Sequence, residues 1–185
     1  MRIIAGQLRG RKLKAPSGMH TRPTLDRVRE ALFSILGNLR DLRVIDAYAG
    51  TGALGIEALS RGAAHASFVE NDSAASAVLR DNLETLGVSD RATLIQSSME
   101  KTQQRLAQMP PLDLVLADPP WAIAQKAATT IFSVTRGALT PDARLIIGHS
   151  ATEPLDIPTD AGFELVQSRR WGGSGLSFFK PISKS

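Results

Sequence analysis

The sequence contains no cysteine. Disulfides, thiolate metal sites and cysteine nucleophiles are therefore excluded together, and the absence fits a reducing cytoplasm. Histidine is scarce as well. His20, His65 and His149 stand far apart with no HExxH-like spacing, so no metal is expected and each is read as a surface or strand-end residue. No apolar run approaches the roughly 18–20 residues that a membrane-spanning helix needs, so no membrane partner is expected. The N-terminus is rich in arginine and poor in acid. It carries no serine before Ser17, however, and Gly6, Gly10 and Pro16 break the helix of a transit peptide.

What is present suits one domain with a small appendage: 185 residues, 43% of them hydrophobic. A chain of that length buries about 70% of its unfolded surface without metal or disulfide support. A charged fraction of 22% and ten scattered prolines argue against disorder. The net charge of +4 conceals an asymmetry, because residues 1–43 hold ten basic and three acidic side chains while the remainder is net acidic. A basic arm of this kind is a candidate contact for a phosphate backbone, or simply a solvated surface.

Arg2–Ala5 and Lys12–Ala15 read as a short basic hairpin around Gly6 and Gly10. Leu25, Val28, Leu32, Ile35 and Leu36 fall at helical spacing, with Thr24 as cap, Asp26 in the first turn and Gly37 as stop. From Leu42 strands alternate with helices. Strands are expected at Leu42–Ala47, His65–Glu70, Ala92–Gln96, Leu112–Ala117 and Ala143–Gly148. The intervening helices run to Leu59, over Ser73–Leu86, near Glu100–Gln108 and near Ala124–Gly137. Phe163–Trp171 and Leu176–Phe179, separated by Gly172-Gly173-Ser174-Gly175, close the chain as an antiparallel hairpin. The expected fold is α/β: a doubly wound, mostly parallel Rossmann-like sheet with a C-terminal antiparallel hairpin and a small basic N-terminal hairpin. Residues 1–20 form the extension and 21–185 the main domain.

Two segments carry chemistry. In Asp46-Ala47-Tyr48-Ala49-Gly50-Thr51-Gly52-Ala53-Leu54-Gly55 the glycines fit G-x-G-x-x-G between a strand and a helix. Glu70, 24 residues beyond Asp46, ends the next strand, where a carboxylate accepts from ribose hydroxyls. An adenosine-containing ligand is expected. A carboxylate at Asp46 repels the diphosphate of NAD and suits the cationic end of S-adenosylmethionine, which is therefore favoured over NAD. The second segment, Asp118-Pro119-Pro120-Trp121, follows the fourth strand. An exocyclic base amine is a poor nucleophile because its lone pair is delocalised into the ring. The Asp118 carboxylate and the Pro119 carbonyl can accept both of its N–H groups, and the prolines fix the carbonyl direction. Trp121 offers a stacking face for an extruded base, worth about 1–3 kcal/mol, and Asp118 can take the proton. Such direct transfer needs no cysteine.

Three stretches extend the pattern: Met1-Arg2-Ile3-Ile4-Ala5-Gly6 with Arg9-Gly10-Arg11-Lys12-Leu13, Thr21-Arg22-Pro23-Thr24-Leu25-Asp26-Arg27-Val28-Arg29-Glu30-Ala31-Leu32-Phe33, and Ala49 through Ala63. Together with the D-P-P-aromatic motif they resemble the RsmD family over nearly the whole chain. The resemblance implies an S-adenosylmethionine-dependent methyltransferase acting on N2 of a guanine in small-subunit (16S) ribosomal RNA or the assembling 30S particle. A cytoplasmic location and a monomer, without metal, go with it. It implies catalytic residues Asp118, Pro119, Pro120 and Trp121. The implied cofactor residues are Asp46, Tyr48, Gly50, Thr51, Gly52, Gly55, Glu70, Asn71, Ser98 and Asp118, and the implied RNA contacts are Arg2, Arg9, Arg11, Lys12, Lys14, Arg22 and Arg27. The 22–30 stretch would line the methionine end of the cofactor.

Departures from the family pattern are few. After the third strand, where the family often carries an acidic residue near the adenine, Gln96-Ser97-Ser98-Met99 offers the Ser98 hydroxyl. Tyr48 is read as packing at the loop rather than catalytic, and Asn82 as a solvent-facing helix residue. An amino-methyltransferase acting on adenine N6, a non-catalytic RNA-binding module and a NAD oxidoreductase are the alternatives.

Overall fold

The computed structural model describes residues 1–15, 23–158 and 160–182. Among them, seven strands form one sheet: β1 (Arg43–Ala47), β2 (His65–Glu70), β3 (Ala92–Gln96), β4 (Leu112–Ala117), β5 (Leu139–Ser150), β6 (Phe163–Trp171) and β7 (Ser174–Pro181). The spatial order is β3-β2-β1-β4-β5-β7-β6, with β1 to β5 parallel and β7 antiparallel to both neighbours. The chain winds outward from β1 to β3, returns to β4 and continues the other way. The switch point of the sheet therefore lies between β1 and β4, where ligands of open α/β sheets bind.

Helices α1 (Pro23–Leu36), α2 (Ala53–Ser60), α3 (Ser73–Leu86), α4 (Gln103–Ala107) and α5 (Ala124–Thr135) cover both faces. The first three bury Leu32, Ile56 and Leu79 over the face that carries Val44, Phe68, Leu114 and Ile146. Leu106 of α4 and Ile131 and Phe132 of α5 pack on the opposite face against Ile45, Val115 and Leu145. Val44–Ala47 and Leu114–Ala117 are buried at every position, as strands covered on both sides must be.

Local signals place most boundaries. Asp72 caps α3 by accepting from the Ala75 N–H at 2.7 Å, and Gly87 ends it with φ 70°. Other expectations are corrected. Helix α1 starts at Pro23, so Thr24 lies inside it rather than capping it. The helix expected near Glu100–Gln108 is a 3₁₀ turn (Met99–Lys101) followed by the short α4. Strand β7 already begins at Ser174, because Gly175 lies inside the strand with the His149 ring filling the space a side chain would take. His149 does end a strand, but it is buried rather than on the surface. Expectations at Ser17, His20, Thr21 and Arg22 fall outside the described residues.

The N-terminal arm forms the expected hairpin, with Arg2 bridged to Lys12 and cross-arm bonds from Ile3 N to Arg11 O at 3.0 Å, Gly10 N to Ile3 O at 2.9 Å and Leu13 N to Met1 O at 3.0 Å. Several of its remaining backbone donors turn to the body of the protein. The buried Glu57 carboxylate of α2 accepts from Ile4 N at 2.8 Å and Ala5 N at 3.0 Å. The backbone N–H of Lys14 donates to Asn82 Oδ1 at 2.9 Å. Ile3 and Leu13 insert into the apolar cluster beneath α2 and α3, which fixes the arm on that side of the sheet.

Candidate active site

In the β1–β4 pairing Ala47 sits opposite Ala117, so Tyr48 and Asp118 leave the sheet at the same level. The glycine loop and the Asp118-Pro119-Pro120-Trp121 segment consequently meet above the switch point. They open on one cavity of about 1190 Å³. That exceeds the roughly 300–1,000 Å³ of a typical single-ligand pocket and leaves room for a cofactor and a substrate group together.

The glycine loop is held from below. Gly52 has φ 82°, and a Cβ there would lie 2.3 Å from Leu79 Cδ1. A Cβ at Gly55 would lie 2.3 Å from Phe68 Cε1, so this glycine lets α2 close onto β2. Asp46 accepts from Gly55 N at 2.8 Å. Glu70 accepts from Gly50 N and from Asp72 N, each at 2.7 Å, joining the loop to the end of β2. Asp46 is fully buried, and its carboxyl pKa is pushed up to about 8, first by desolvation and further by the charges of Asp118 and Glu70, against the Gly55 hydrogen bond. Three carboxyl groups thus converge on the loop: a bound cation favours the ionised form of Asp46, whereas a diphosphate would add to the negative charge of the site.

Alternation along β4 puts Asp118 on the face of Leu114 and Leu116. Its side chain opens on the cavity, and the surrounding protein raises its pKa by desolvation. Among the described residues, neither the Asp118 carboxylate nor the Pro119 carbonyl accepts a hydrogen bond from protein. Pro120 O is used, accepting from Ile123 N at 2.9 Å in the 3₁₀ turn that begins at Trp121. The Trp121 ring is 42% exposed and stands at the rim.

The four residues expected to be catalytic all line the cavity. So do Tyr48, Gly50, Thr51, Glu70, Asn71 and Ser98 of the expected cofactor set. Asp46, Gly52 and Gly55 do not reach it and act from beneath the loop. The expected RNA contacts divide. Arg2, Arg9 and Lys12 are exposed on the arm and Arg27 on α1, whereas Lys14 pairs with Asp81. Arg11 donates to the Thr85 and Leu86 carbonyls at the end of α3, where a cation also complements the helix dipole.

Other residues were not singled out for this site. Glu100 lines the cavity two positions beyond Ser98. Hydrogen bonds from its own N–H and from Ser98 hold its carboxyl below the ordinary range. An acidic side chain is thus present near the position where the resemblance expects one, displaced into the 3₁₀ turn. Arg29 of α1 lines the cavity, buried. It donates to Arg2 O and to Asp26, its pKa is lowered by desolvation, and among the described residues its Nε has no partner. His149 also lines the cavity, with Nδ1 bonded to Ser150 O at 2.8 Å and Nε2 to Ser177 Oγ at 2.9 Å. Asn82 is buried rather than solvent-facing: its Nδ2 donates to Lys14 O and to Thr51 O, each at 3.1 Å. Among the described residues there is no metal-binding cluster, and no helix is long and apolar enough to cross a membrane.

Known proteins are similar to this chain in sequence and fold. Residues 1–180 match the family described as Conserved hypothetical protein 95. The Haemophilus influenzae protein named Ribosomal RNA small subunit methyltransferase D is 37% identical over 163 residues, 85% of this chain and 83% of that one. Its Escherichia coli K12 namesake is 44% identical over 122 residues, 65% of this chain and 60% of that protein's length. The solved structure of yhhF from Escherichia coli superposes with a TM-score of 0.81 at 34% identity, covering 100% of this chain and 99% of that one. The chain belongs to the Conserved hypothetical protein 95 family, the RsmD family.

Proposed function

We propose that this protein methylates the exocyclic N2 amine of a guanine in small-subunit ribosomal RNA, with S-adenosylmethionine as methyl donor. The observation that carries the reading is the pair of unpartnered acceptors, Asp118 carboxylate and Pro119 carbonyl, beside the exposed Trp121 ring. The relatives' names supply the RNA class.

The residues present fit the donor. When bound, S-adenosylmethionine would supply a methyl group on a cationic sulfonium, whose carbon–sulfur bond breaks as the new bond forms, the neutral thioether S-adenosylhomocysteine leaving. Glu70 and Asn71 line the cavity where ribose hydroxyls need acceptors, and the carboxylates of Asp46, Glu70 and Asp118 favour a cation. Arg29 is the residue of the 22–30 stretch placed to pair with the methionine carboxylate. Asp118 and Pro119 O accept the two N–H groups of the base amine. This turns the nitrogen lone pair out of the ring as positive charge develops on it, and the stabilisation is greatest in the transition state. The nitrogen gains a bond to carbon and loses one proton, which Asp118 accepts and passes to water. Trp121 stacks on the extruded base.

The test is methyl transfer to an unmodified small-subunit rRNA transcript and to small-subunit particles, followed by nucleoside mass spectrometry. N2-methylguanosine is expected. N6-methyladenosine would move the reading to an adenine amine. Asp118→Ala should lower kcat about 10²–10³-fold, with a far smaller fall in cofactor affinity. Full activity in that variant would remove Asp118 from the mechanism.

A further inference from the structure

Strand β6 is the free edge of the sheet, remote from the edge that carries the N-terminal arm. Its first residue, Phe163, stacks on Phe132 in the core, but Leu165, Val166, Ser168, Arg169 and Arg170 are exposed. The strand ends in Arg169-Arg170-Trp171 and turns back through Gly172 and Gly173. One hydrogen bond ties this tip to the end of β5, and the tip lies beside the Trp121 ring. Gly173 O accepts from Ala151 N at 2.9 Å, and a Cβ at Gly173 would lie 3.6 Å from the Trp121 ring. The next residues, Ser174, Gly175 and Leu176, are themselves part of the cavity wall. Arg169 and Arg170 pair in register with Leu176 and Gly175, two residues of that wall. Among the described residues neither is paired with a carboxylate; Arg169 Nε bonds only Gln167. Being consecutive on a strand, they point to opposite faces of the hairpin.

Building on the proposed RNA substrate, we propose that the C-terminal hairpin is a second RNA grip. Arg169 and Arg170 hold phosphates next to the extruded guanine, across the cavity from the N-terminal arm. The geometry explains why two grips are needed. Arm contacts lie over α2 and α3, beside β1 to β3, and hold the RNA on one side of the switch point only. A base drawn out of its stack needs its backbone fixed on both sides, or the nucleotide rotates back. Phosphate contacts position the strand and carry no sequence information, whereas Trp121 and the Asp118–Pro119 acceptors read the base.

The test uses the full chain and an unmodified small-subunit rRNA transcript. Arg169→Ala/Arg170→Ala should lower RNA affinity about tenfold at low salt and reduce the slope of log K against log salt by roughly 1.4–1.8, the value for two lost phosphate contacts. Cofactor affinity and thermal melting should stay at wild-type values. Arg169→Lys/Arg170→Lys should restore the slope, because charge rather than hairpin shape is at issue. Unchanged RNA affinity and slope in the alanine variant, with wild-type protein methylating the same RNA, overturns the grip and leaves the methyltransferase reading standing. A binding loss seen only with assembled small-subunit particles overturns it in favour of a ribosomal-protein contact. Wild-type protein that neither binds nor methylates the transcript or the particles would overturn the underlying reading, and this proposal with it.

Discussion

The carboxylate of Asp118 occupies the space in which a side chain at residue 148 would stand: a Cβ on Gly148 would lie 2.4 Å from Asp118 Oδ1. Gly148 is buried near the end of β5, in the strand beside β4, so the sheet itself sets where the acceptor sits. Gly148→Ala should push the carboxylate away from its position while leaving the cofactor half of the cavity intact. A displacement of about 1 Å can cost on the order of 10²-fold in rate. The expected outcome is a fall in kcat of that size with unchanged S-adenosylmethionine affinity, read by single-turnover methyl transfer and by calorimetry. Wild-type kcat in Gly148→Ala would show that Asp118 tolerates displacement.

Asp46 gives the site a pH dependence of defined sign. Its pKa in the fold is about 8, against an ordinary value of 3.8, so between these limits the folded state holds a proton that the unfolded chain has released. Stability of the cofactor-free protein should therefore be greatest at the acid end of that window, fall as pH rises through it and level off above pH 8. A cationic ligand has the opposite preference, since it stabilises the ionised carboxylate. S-adenosylmethionine affinity should rise toward pH 8, with proton release on binding near pH 7. Calorimetry in two buffers of different ionisation enthalpy measures that release directly. Asp46→Asn should abolish both dependences, and a wild-type protein that releases no proton would place Asp46 outside the cofactor's field.

Glu57 is the anchor of the N-terminal arm. Its carboxylate accepts two arm amides and the Arg61 Nε at 2.8 Å, while Ser60 Oγ accepts from Leu8 N at 3.0 Å. Glu57→Ala leaves those donors unsatisfied in a buried place, a loss of about 2–4 kcal/mol. For a domain of this size each kcal/mol is worth roughly 2–4 °C. The expected result is a melting temperature lowered by several degrees, together with faster proteolysis within residues 1–15. Melting at the wild-type temperature would mean that Ile3 and Leu13 hold the arm without the carboxylate.

Both chemical segments were legible because each is local. Gly50, Gly52 and Gly55 lie on a single strand–turn–helix unit, and Asp118 to Trp121 are four consecutive residues, so spacing alone identifies them. The parallel strands were legible for a related reason: a strand buried on both faces must be an unbroken apolar run, as Leu114–Ala117 is. What escaped was every residue whose meaning comes from a distant partner. Gly148 looks like any strand glycine until Asp118, 30 residues earlier, is placed against it. His149 needs Ser177 and Gly175 from β7, and Glu57 needs the arm. The arm itself read as a hairpin because its glycines and alternating residues suit one. It is one, but the amides of Ile4, Ala5, Leu8 and Lys14 leave the hairpin for side chains on α2 and α3, partners that no window of sequence contains.

Asn82 shows the same effect and supplies a further prediction. It does not line the cavity, yet it holds the cofactor loop through Thr51 O and the arm through both backbone groups of Lys14. Its amide uses one acceptor and two donors, a pattern that aspartate cannot reproduce, since the carboxylate oxygen replacing Nδ2 would then face two carbonyls. Asn82→Ala should destabilise the protein by about 1–3 kcal/mol. It should also weaken S-adenosylmethionine binding, because Thr51 loses its support between Gly50 and Gly52. Asn82→Asp should be worse than alanine on both measures, as the repulsion acts on the loop and the arm together. Thermal melts and cofactor titrations on the two variants decide the point. If aspartate binds cofactor as well as wild type does, the Thr51 contact is incidental and the glycine loop is shaped by Glu70 and Asp46 alone.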